Sequence, residues 1–212
     1  YFSSRAKGNI YDFVESYKEN CEKTAGKGLM CMFSGNHDVD RLARHLHGDE
    51  LKVAFAFILS MPGAPFIYYG DEIGMRYVEG LKSVEGGYNR TGSRSPMQWD
   101  DSTNAGFSSA PASDLYIAMD PDKDRPTAKK EMAAPDSLYH EVKKLIRIRQ
   151  SHKALQSRGK ITFVYAEKNA YPLAYIREDG DEKILVIINA AAEAKTFACD
   201  AEPKEAIYNF GA

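Results

Sequence analysis

A chain of 212 residues, 43% hydrophobic and 27% charged, has the composition of an ordinary globular protein, with room for one large domain or a domain plus a small appendage. Its formal net charge of −2, with Lys and Arg scattered among Asp and Glu, offers no electrostatic footprint for nucleic acid or an acidic membrane surface. The longest apolar run, Val53 to Leu59, is far too short to span a bilayer, so neither nucleic acid nor membrane is expected as a partner.

In chain order, Ile10, Phe13, Val14, Tyr17 and Cys21 recur at helical spacing, with Asn9 as the N-cap and Gly26 and Gly28 as the stop. Leu29 to Phe33 is a short continuous apolar run, the pattern of a strand buried on both faces. A polar loop from Ser34 to Gly48 follows, then a helix capped by Asp49 and running to about Ser60, then an aromatic-rich strand from Ala64 to Tyr69. Strand, helix, strand in this span predicts a crossover between parallel neighbours of an α/β sheet. Gly70 to Pro135 is rich in Gly, Pro, Asn, Asp and Ser, and so long an irregular stretch points to function rather than mere connection. Pro135 and Asp136 open a helix with Leu138, Val142, Leu145, Ile146 and Arg149 on one side and Lys143, Lys144 and Arg147 on the other. From Gly159 the period becomes two: Ile161, Phe163 and Tyr165 alternate, and Asp179-Gly180 marks a hairpin between the runs 170–177 and 183–189. Residues from about 155 onward read as a small antiparallel β domain. The cysteines Cys21, Cys31 and Cys199 have neither CxxC spacing nor an even count, so buried free thiols are expected rather than disulfides or a zinc site.

Three segments carry residues suited to chemistry. Asn36-His37-Asp38 directly follows the first strand, and side chains just beyond a strand's C-terminal end line the active-site mouth of parallel α/β architectures. A carboxylate beside an imidazole can hold vicinal sugar hydroxyls and face a developing positive charge; the same tripeptide also suits turn and capping duty. Asp71 and Glu72 sit in a glycine-flanked acidic turn, but adjacent residues on an extended chain point apart. They are therefore expected to bond loop backbone amides rather than to form a catalytic dyad. The third segment, Ser93 to Asp100 followed by Asn104 to Ser108, holds the sole tryptophan, Trp99, in a polar loop near Arg94. Trp99 suits either a stacking platform for a sugar or packing of the loop.

Together FSGNHDVDR (Phe33 to Arg41), GAPFIYYGDEIGM (Gly63 to Met75) and SRSPMQWDDSTNAGFS (Ser93 to Ser108) resemble the late motifs of glycoside hydrolase family 13, the α-amylase family. The nearest branch holds α-glucosidases, oligo-1,6-glucosidases and trehalose-synthase-like enzymes. The resemblance implies an α/β plus all-β chain: the C-terminal part of a (β/α)8 TIM barrel over residues 1–152, with the long loop 70–135, then an antiparallel β domain over 153–212. Leu29 to Phe33 would be barrel strand seven, Ala64 to Tyr69 strand eight, and the helix from 136 to 151 the eighth barrel helix. By match to the family pattern, Asp38 would be the carboxylate that stabilises the transition state, and His37 and Arg94 would bind the sugar. Asn36, Arg41 and Trp99 would belong to the substrate loops. The implied partner is an α-linked glucose oligosaccharide. No cofactor is expected, and calcium, common in relatives, is assigned to no residue here.

Family members work by retention, with a nucleophile and an acid/base about 5 Å apart. Both lie on earlier barrel strands, and no motif like GFRxD precedes Phe33. The expectation is a chain inactive by itself, able to self-associate through exposed strand edges. Two other readings accompany it: a trehalose-synthase-like isomerase or glucosyl transferase, and a non-catalytic relative that binds carbohydrate.

Overall fold

The computed structural model of the protein describes residues 10–82, 90–198, 200 and 202–211; the expected Asn9 cap and Cys199 lie outside them. Packing divides the chain into two compact units. One draws on the segments before Phe33, 52–65 and from 144 onward, the other on 33–51 and 66–143.

In the first unit, the helical spacing near the start becomes α1 (Ile10–Thr24), which buries Ile10, Val14 and Tyr17. β1 (Cys31–Phe33) is shorter than its apolar run and pairs with β2 (Ala64–Phe66). Ala64 N–H donates to Met30 O and, further along both strands, Ser34 N–H donates to Phe66 O, so the two run parallel. The helix between them is α2 (Asp49–Ser60), which begins at Asp49 itself; the Glu50 carboxylate, not Asp49, accepts from the His47 N–H ahead of it.

One expectation is corrected here. β1 is not buried on both faces: Leu29 is 44% and Phe33 47% exposed, and Cys31 is an exposed free thiol. A strand is covered on both faces only when other layers pack above and below its sheet, and these side chains of the β1–β2 pair are not so covered. Cys21, the other free thiol among the described residues, is half-buried.

The predicted hairpin region forms a three-stranded antiparallel sheet, β3 (Lys160–Tyr165), β4 (Leu173–Asp179) and β5 (Glu182–Ile188), with β4 in the centre. Asp179 pairs with Glu182, so the turn is Gly180-Asp181, with Gly180 at φ 59°. Glycine at the first central position supplies the positive φ of a tight hairpin turn without a Cβ clash. A register shift between Phe163 and Tyr165 marks a bulge in β3. Leu173, Ala174 and Tyr175 of β4 are fully buried, and Phe163 packs edge-on to both Tyr175 and Tyr17.

Two buried arginines set the joint between α2 and β2. The last carbonyls of a helix have no intrahelical donor. α4 (Leu138–Ser151) supplies Arg149, whose Nη1 donates to Leu59 O and Met61 O at 2.7 Å each and whose Nη2 donates to Gly63 O at 2.9 Å. Arg177 of β4, with no exposed surface, donates to Ser60 O, Gln156 O and Gly159 O. Burial lowers its guanidinium pKa to about 10 and lowers that of Arg149 as well. Planar forks suit this task because each reaches several carbonyls at once, and positive charge at a helix C-terminus is favoured by the dipole.

In the second unit, Asp71 is the organising residue. It lies in the 3₁₀ turn Asp71–Ile73 just after β2 and is 2% exposed. Its carboxylate accepts from Arg41 Nη1 at 2.8 Å and from Ser34 Oγ at 2.7 Å, while the same Arg41 nitrogen donates to Tyr69 O at 2.8 Å. This corrects the expected backbone partners for Asp71: they are side chains from far along the chain. Burial raises the Glu72 carboxyl's pKa and the backbone N–H groups of Gly70 and Glu72 oppose that rise, while its Oε2 is buried without a hydrogen-bond partner among the described residues. Tyr68 and Tyr69 leave the ladder instead of extending the strand, and Tyr68 N–H donates to Ser34 Oγ. Leu46, Leu51, Ile73, Met75, Val78, Leu138 and Val142 form the apolar core here. The described residues between Gly70 and Pro135 are irregular as expected, apart from 3₁₀ turns and the short α3 (Ala128–Ala133) capped by Thr127.

Two stability outcomes are expected. Arg149→Leu strands three buried carbonyls and lowers unfolding free energy by about 3 kcal/mol or more, with Arg149→Lys recovering part. Urea midpoints at unchanged slope measure it. Asp71→Leu breaks a buried ion pair from one side and costs about 3–5 kcal/mol, as Arg41→Met does from the other, whereas the double variant Arg41→Met/Asp71→Leu recovers most of the loss. Simple additivity in that cycle would refute the coupling.

Candidate functional site

The loop after β1 carries Asn36, His37 and Asp38 between two anchors, Ser34 and Arg41, both held by Asp71. The local turn is built by Asn36, whose Oδ1 accepts from Asp38 N–H at 2.7 Å, the side-chain mimic of a backbone turn. It leaves the Asp38 side chain 47% exposed. His37, more exposed still, places Nε2 3.4 Å from Asp38 Oδ2.

A second loop closes on the first. The 3₁₀ turn Thr91–Arg94 buries Thr91, Gly92 and Ser93 and projects Arg94 outward. Ser93 Oγ donates to Val39 O at 2.6 Å, and Tyr69 Oη donates to Ser95 O at 2.8 Å, so both sides of Arg94 are tied down. Arg94 Nε donates to His37 O at 2.9 Å, and its Nη2 lies 3.3 Å from Asp38 Oδ1. Arg90 Nη1 reaches the same Oδ1 at 2.6 Å. The structure thus brings Asn36, His37, Asp38 and Arg94 into one cluster.

Arg90 is the member that sequence reasoning missed. Its signal is the fourth-residue spacing from Arg94 in the run Arg90-Thr91-Gly92-Ser93-Arg94, where a single turn puts both guanidinium groups beside one carboxylate. Arg41 has a different place from Arg94. It has no exposed surface, pairs with Asp71, and lies with its guanidinium 4.8 Å from the ring centres of both Tyr68 and Tyr69. Its work here is to brace the loop from beneath. Trp99 is held separately: its backbone N–H donates to Ala105 O, and the residue is 52% exposed.

Chemically, the cluster offers a solvent-accessible carboxylate oxygen, an imidazole and two guanidinium groups. That set can bind the hydroxyls of a polyol and present negative charge to an electron-poor centre. Asp38 is partly exposed, so its ion pairs are screened and its charge stays available. Burial instead pushes the carboxyls of Asp71 and Glu72 above the usual range, with Arg41 and Ser34 opposing the rise at Asp71. Among the described residues no three His, Cys, Asp or Glu side chains are grouped so that they could hold a metal ion. Among them, too, no helix is long and apolar enough to cross a membrane.

Comparison with known proteins places the chain in a family. The glucan 1,6-alpha-glucosidase of Streptococcus pneumoniae serotype 4 is 30% identical over 213 residues, covering 85% of this chain and 39% of that protein. The oligo-1,6-glucosidase of Parageobacillus thermoglucosidasius is 30% identical over 89% of this chain and 39% of its own length. The chain therefore spans about two fifths of the length of these two relatives. Among solved structures, a trehalulose synthase, MutB, crystallised with Tris superposes with a TM-score of 0.74 and 26% identity, over 88% of this chain and 39% of that one. The family model described as "Alpha amylase, catalytic domain" matches residues 3–158, and the chain belongs to the alpha-amylase family.

Proposed function

We propose that the chain is the C-terminal part of a retaining glycosidase acting on α-glucosidic bonds of oligosaccharides, in which Asp38 stabilises the transition state. The observation that carries this reading is the half-exposed Asp38 carboxylate, gathered with His37 and Arg94 at the C-terminal end of β1. In this reading β1 and β2 are barrel strands seven and eight, residues 1–152 belong to the catalytic barrel, and 153–212 form the C-terminal β domain.

The mechanism follows from charge. As the glycosidic bond lengthens, the sugar ring acquires oxocarbenium character, and a fixed carboxylate beside it gains energy that it does not gain in the ground state. His37 and Arg94 donate to ring hydroxyls and fix the sugar's position; Asn36 fixes the turn that aims Asp38. Arg41, by holding Asp71, acts as a positioning residue. The nucleophile and acid/base come from barrel strands outside these 212 residues, so the chain alone does not turn over substrate.

A second reading has support of its own. The likeness to a trehalulose synthase favours a transferase or isomerase outcome, in which the glucosyl group is passed to another sugar hydroxyl instead of water. The same Asp38 serves both, and product analysis separates them.

Two outcomes test the proposal. The purified chain gives no turnover of maltose or a nitrophenyl α-glucoside, while in the longer barrel protein Asp38→Asn lowers kcat about 100- to 1000-fold without loss of fold. Turnover by the isolated chain that disappears with Asp38→Asn would overturn its assignment as an inactive part. The isolated chain also self-associates through the exposed β1 and β2, where Leu29, Phe33 and Phe66 are 44%, 47% and 59% exposed. Light scattering that shows a strict monomer at all concentrations counts against this.

A further inference from the structure

The turn that brings Arg90 and Arg94 to Asp38 has little to hold it from within. A 3₁₀ turn of four residues has poor internal hydrogen-bond geometry, so the position of Thr91–Arg94 is set by what surrounds it. Its later end is tied by Ser93 Oγ to Val39 O and by Tyr69 Oη to Ser95 O. Its middle is held by another segment, residues 77–79. Val78 N–H donates to Gly92 O at 3.1 Å. A Cβ on Gly92 would lie 2.4 Å from Val78 O and 2.5 Å from Tyr77 Cε1, so only glycine admits both the backbone and the Tyr77 ring this closely.

Residues 77–79 belong to no helix or strand, and one side chain grips them twice. Arg44, at the end of the 3₁₀ turn Leu42–Arg44, lays its guanidinium over the Tyr77 ring, 3.9 Å from the ring centre. Its Nη2 lies 2.9 Å from Glu79 Oε1. A third contact, Nη1 to Asp40 Oδ1 at 2.7 Å, fixes the direction of the fork, and His45 Nε2 lies 3.1 Å from the other Asp40 oxygen. Slight burial raises the Asp40 carboxyl, but its hydrogen bonds with His45 and Arg44 outweigh that and hold it below the usual carboxylate range. Each of these exposed ion pairs would be weak alone. A planar fork that stacks on a ring while pairing with two carboxylates is confined to one orientation, which lysine could not copy. The Arg44 N–H also donates to Arg41 O, so the clamp is rooted in the residue that pairs with buried Asp71.

Contact thus runs from the Arg41–Asp71 pair through Arg44, Tyr77 and Gly92 to the two guanidinium groups beside Asp38. We propose that Arg44 is a positioning residue: by holding Tyr77 and Glu79 it sets the turn Thr91–Arg94, and with it the reach of Arg90 and Arg94 to the Asp38 carboxylate. That this carboxylate serves catalysis rests on the proposed function; that Arg44 sets its arginine partners rests on the contacts.

The test follows the Arg94 Nε–H, which donates to His37 O, by ¹⁵N NMR of the 212-residue chain, with the signal assigned through its loss in Arg94→Lys. In Arg44→Met this proton exchanges with solvent roughly tenfold faster, as does the Val78 N–H, while the Ser34 N–H, bonded to Phe66 O, keeps its rate. Arg44→Lys recovers part of the protection, and Glu79→Gln, a mild and exposed change, gives a rise of about threefold. In the longer barrel protein Arg44→Met lowers kcat/KM about three- to tenfold, and the loss shrinks below about twofold when Arg94→Ala is already present, which a general loss of stability would not do. An Arg94 Nε–H that exchanges at the wild-type rate in Arg44→Met overturns the positioning. Should Ser34 exchange rise as well, Glu79→Gln decides, and an unchanged Arg94 Nε–H there is equally fatal. If the Arg94 proton responds as expected while turnover of the longer protein is indifferent to Asp38→Asn, the positioning stands and the proposed function fails.

Discussion

The buried contact between Arg41 and Asp71 governs the second unit. Two charges removed from water cost several kcal/mol each, and only close geometry with further hydrogen bonds offsets that. Asp71 obtains the geometry from Arg41 and the extra bond from Ser34, while the Arg41 guanidinium lies over Tyr68 and Tyr69. The arrangement ties three places together: the first residue after β1, the middle of the following loop, and the turn after β2. Asn36, His37 and Asp38 lie on the short arc between two pinned points. Their exposure is therefore compatible with a fixed position, which a free loop would not give.

Buried cations do the corresponding work in the first unit. Arg149 and Arg177 satisfy the carbonyls at the end of α2 and at the approach to β2. An apolar side chain could fill the same volume but would leave those oxygens without donors, at about 1–3 kcal/mol for each. The position of β2 thus depends on charges that come from α4 and β4, far along the chain.

How much of this is legible in the sequence depends on the range of the interaction. α1, α2, α4 and the β4–β5 hairpin follow from periodicity and turn residues, which are local. The apolar run Leu29 to Phe33 is legible as a strand, but its burial is a property of neighbours, so Phe33 emerges exposed. Asp71 shows only a glycine-flanked acidic turn; its partners lie 30 and 37 residues away, and nothing nearby in sequence announces them. The motif resemblance singles out His37, Asp38 and Arg94 but passes over Arg90, because that residue joins the cluster through the turn at Thr91–Arg94 rather than through a motif. Trp99 and Phe107 are visible as aromatics, whereas the left-handed backbone of Asn104, Ala105 and Gly106 between them is not, since alanine at position 105 argues against it.

Asp38 and Asp71 show how environment separates two aspartates that each meet arginine. Asp71 has one guanidinium at 2.8 Å and lies out of water, so its charge is spent on structure and is reachable by nothing else. Asp38 has two, at 2.6 and 3.3 Å, yet almost half of its side chain faces solvent. In a high-dielectric setting those pairs hold the carboxylate in place more than they neutralise it. Closing such a site around a sugar would remove the screening water and strengthen every interaction of that carboxylate at once. A charge stored under screening and released on desolvation suits stabilisation of a transient cation; a charge already buried against a cation does not. The difference in exposure therefore supports the proposed roles more than the identity of the residues does.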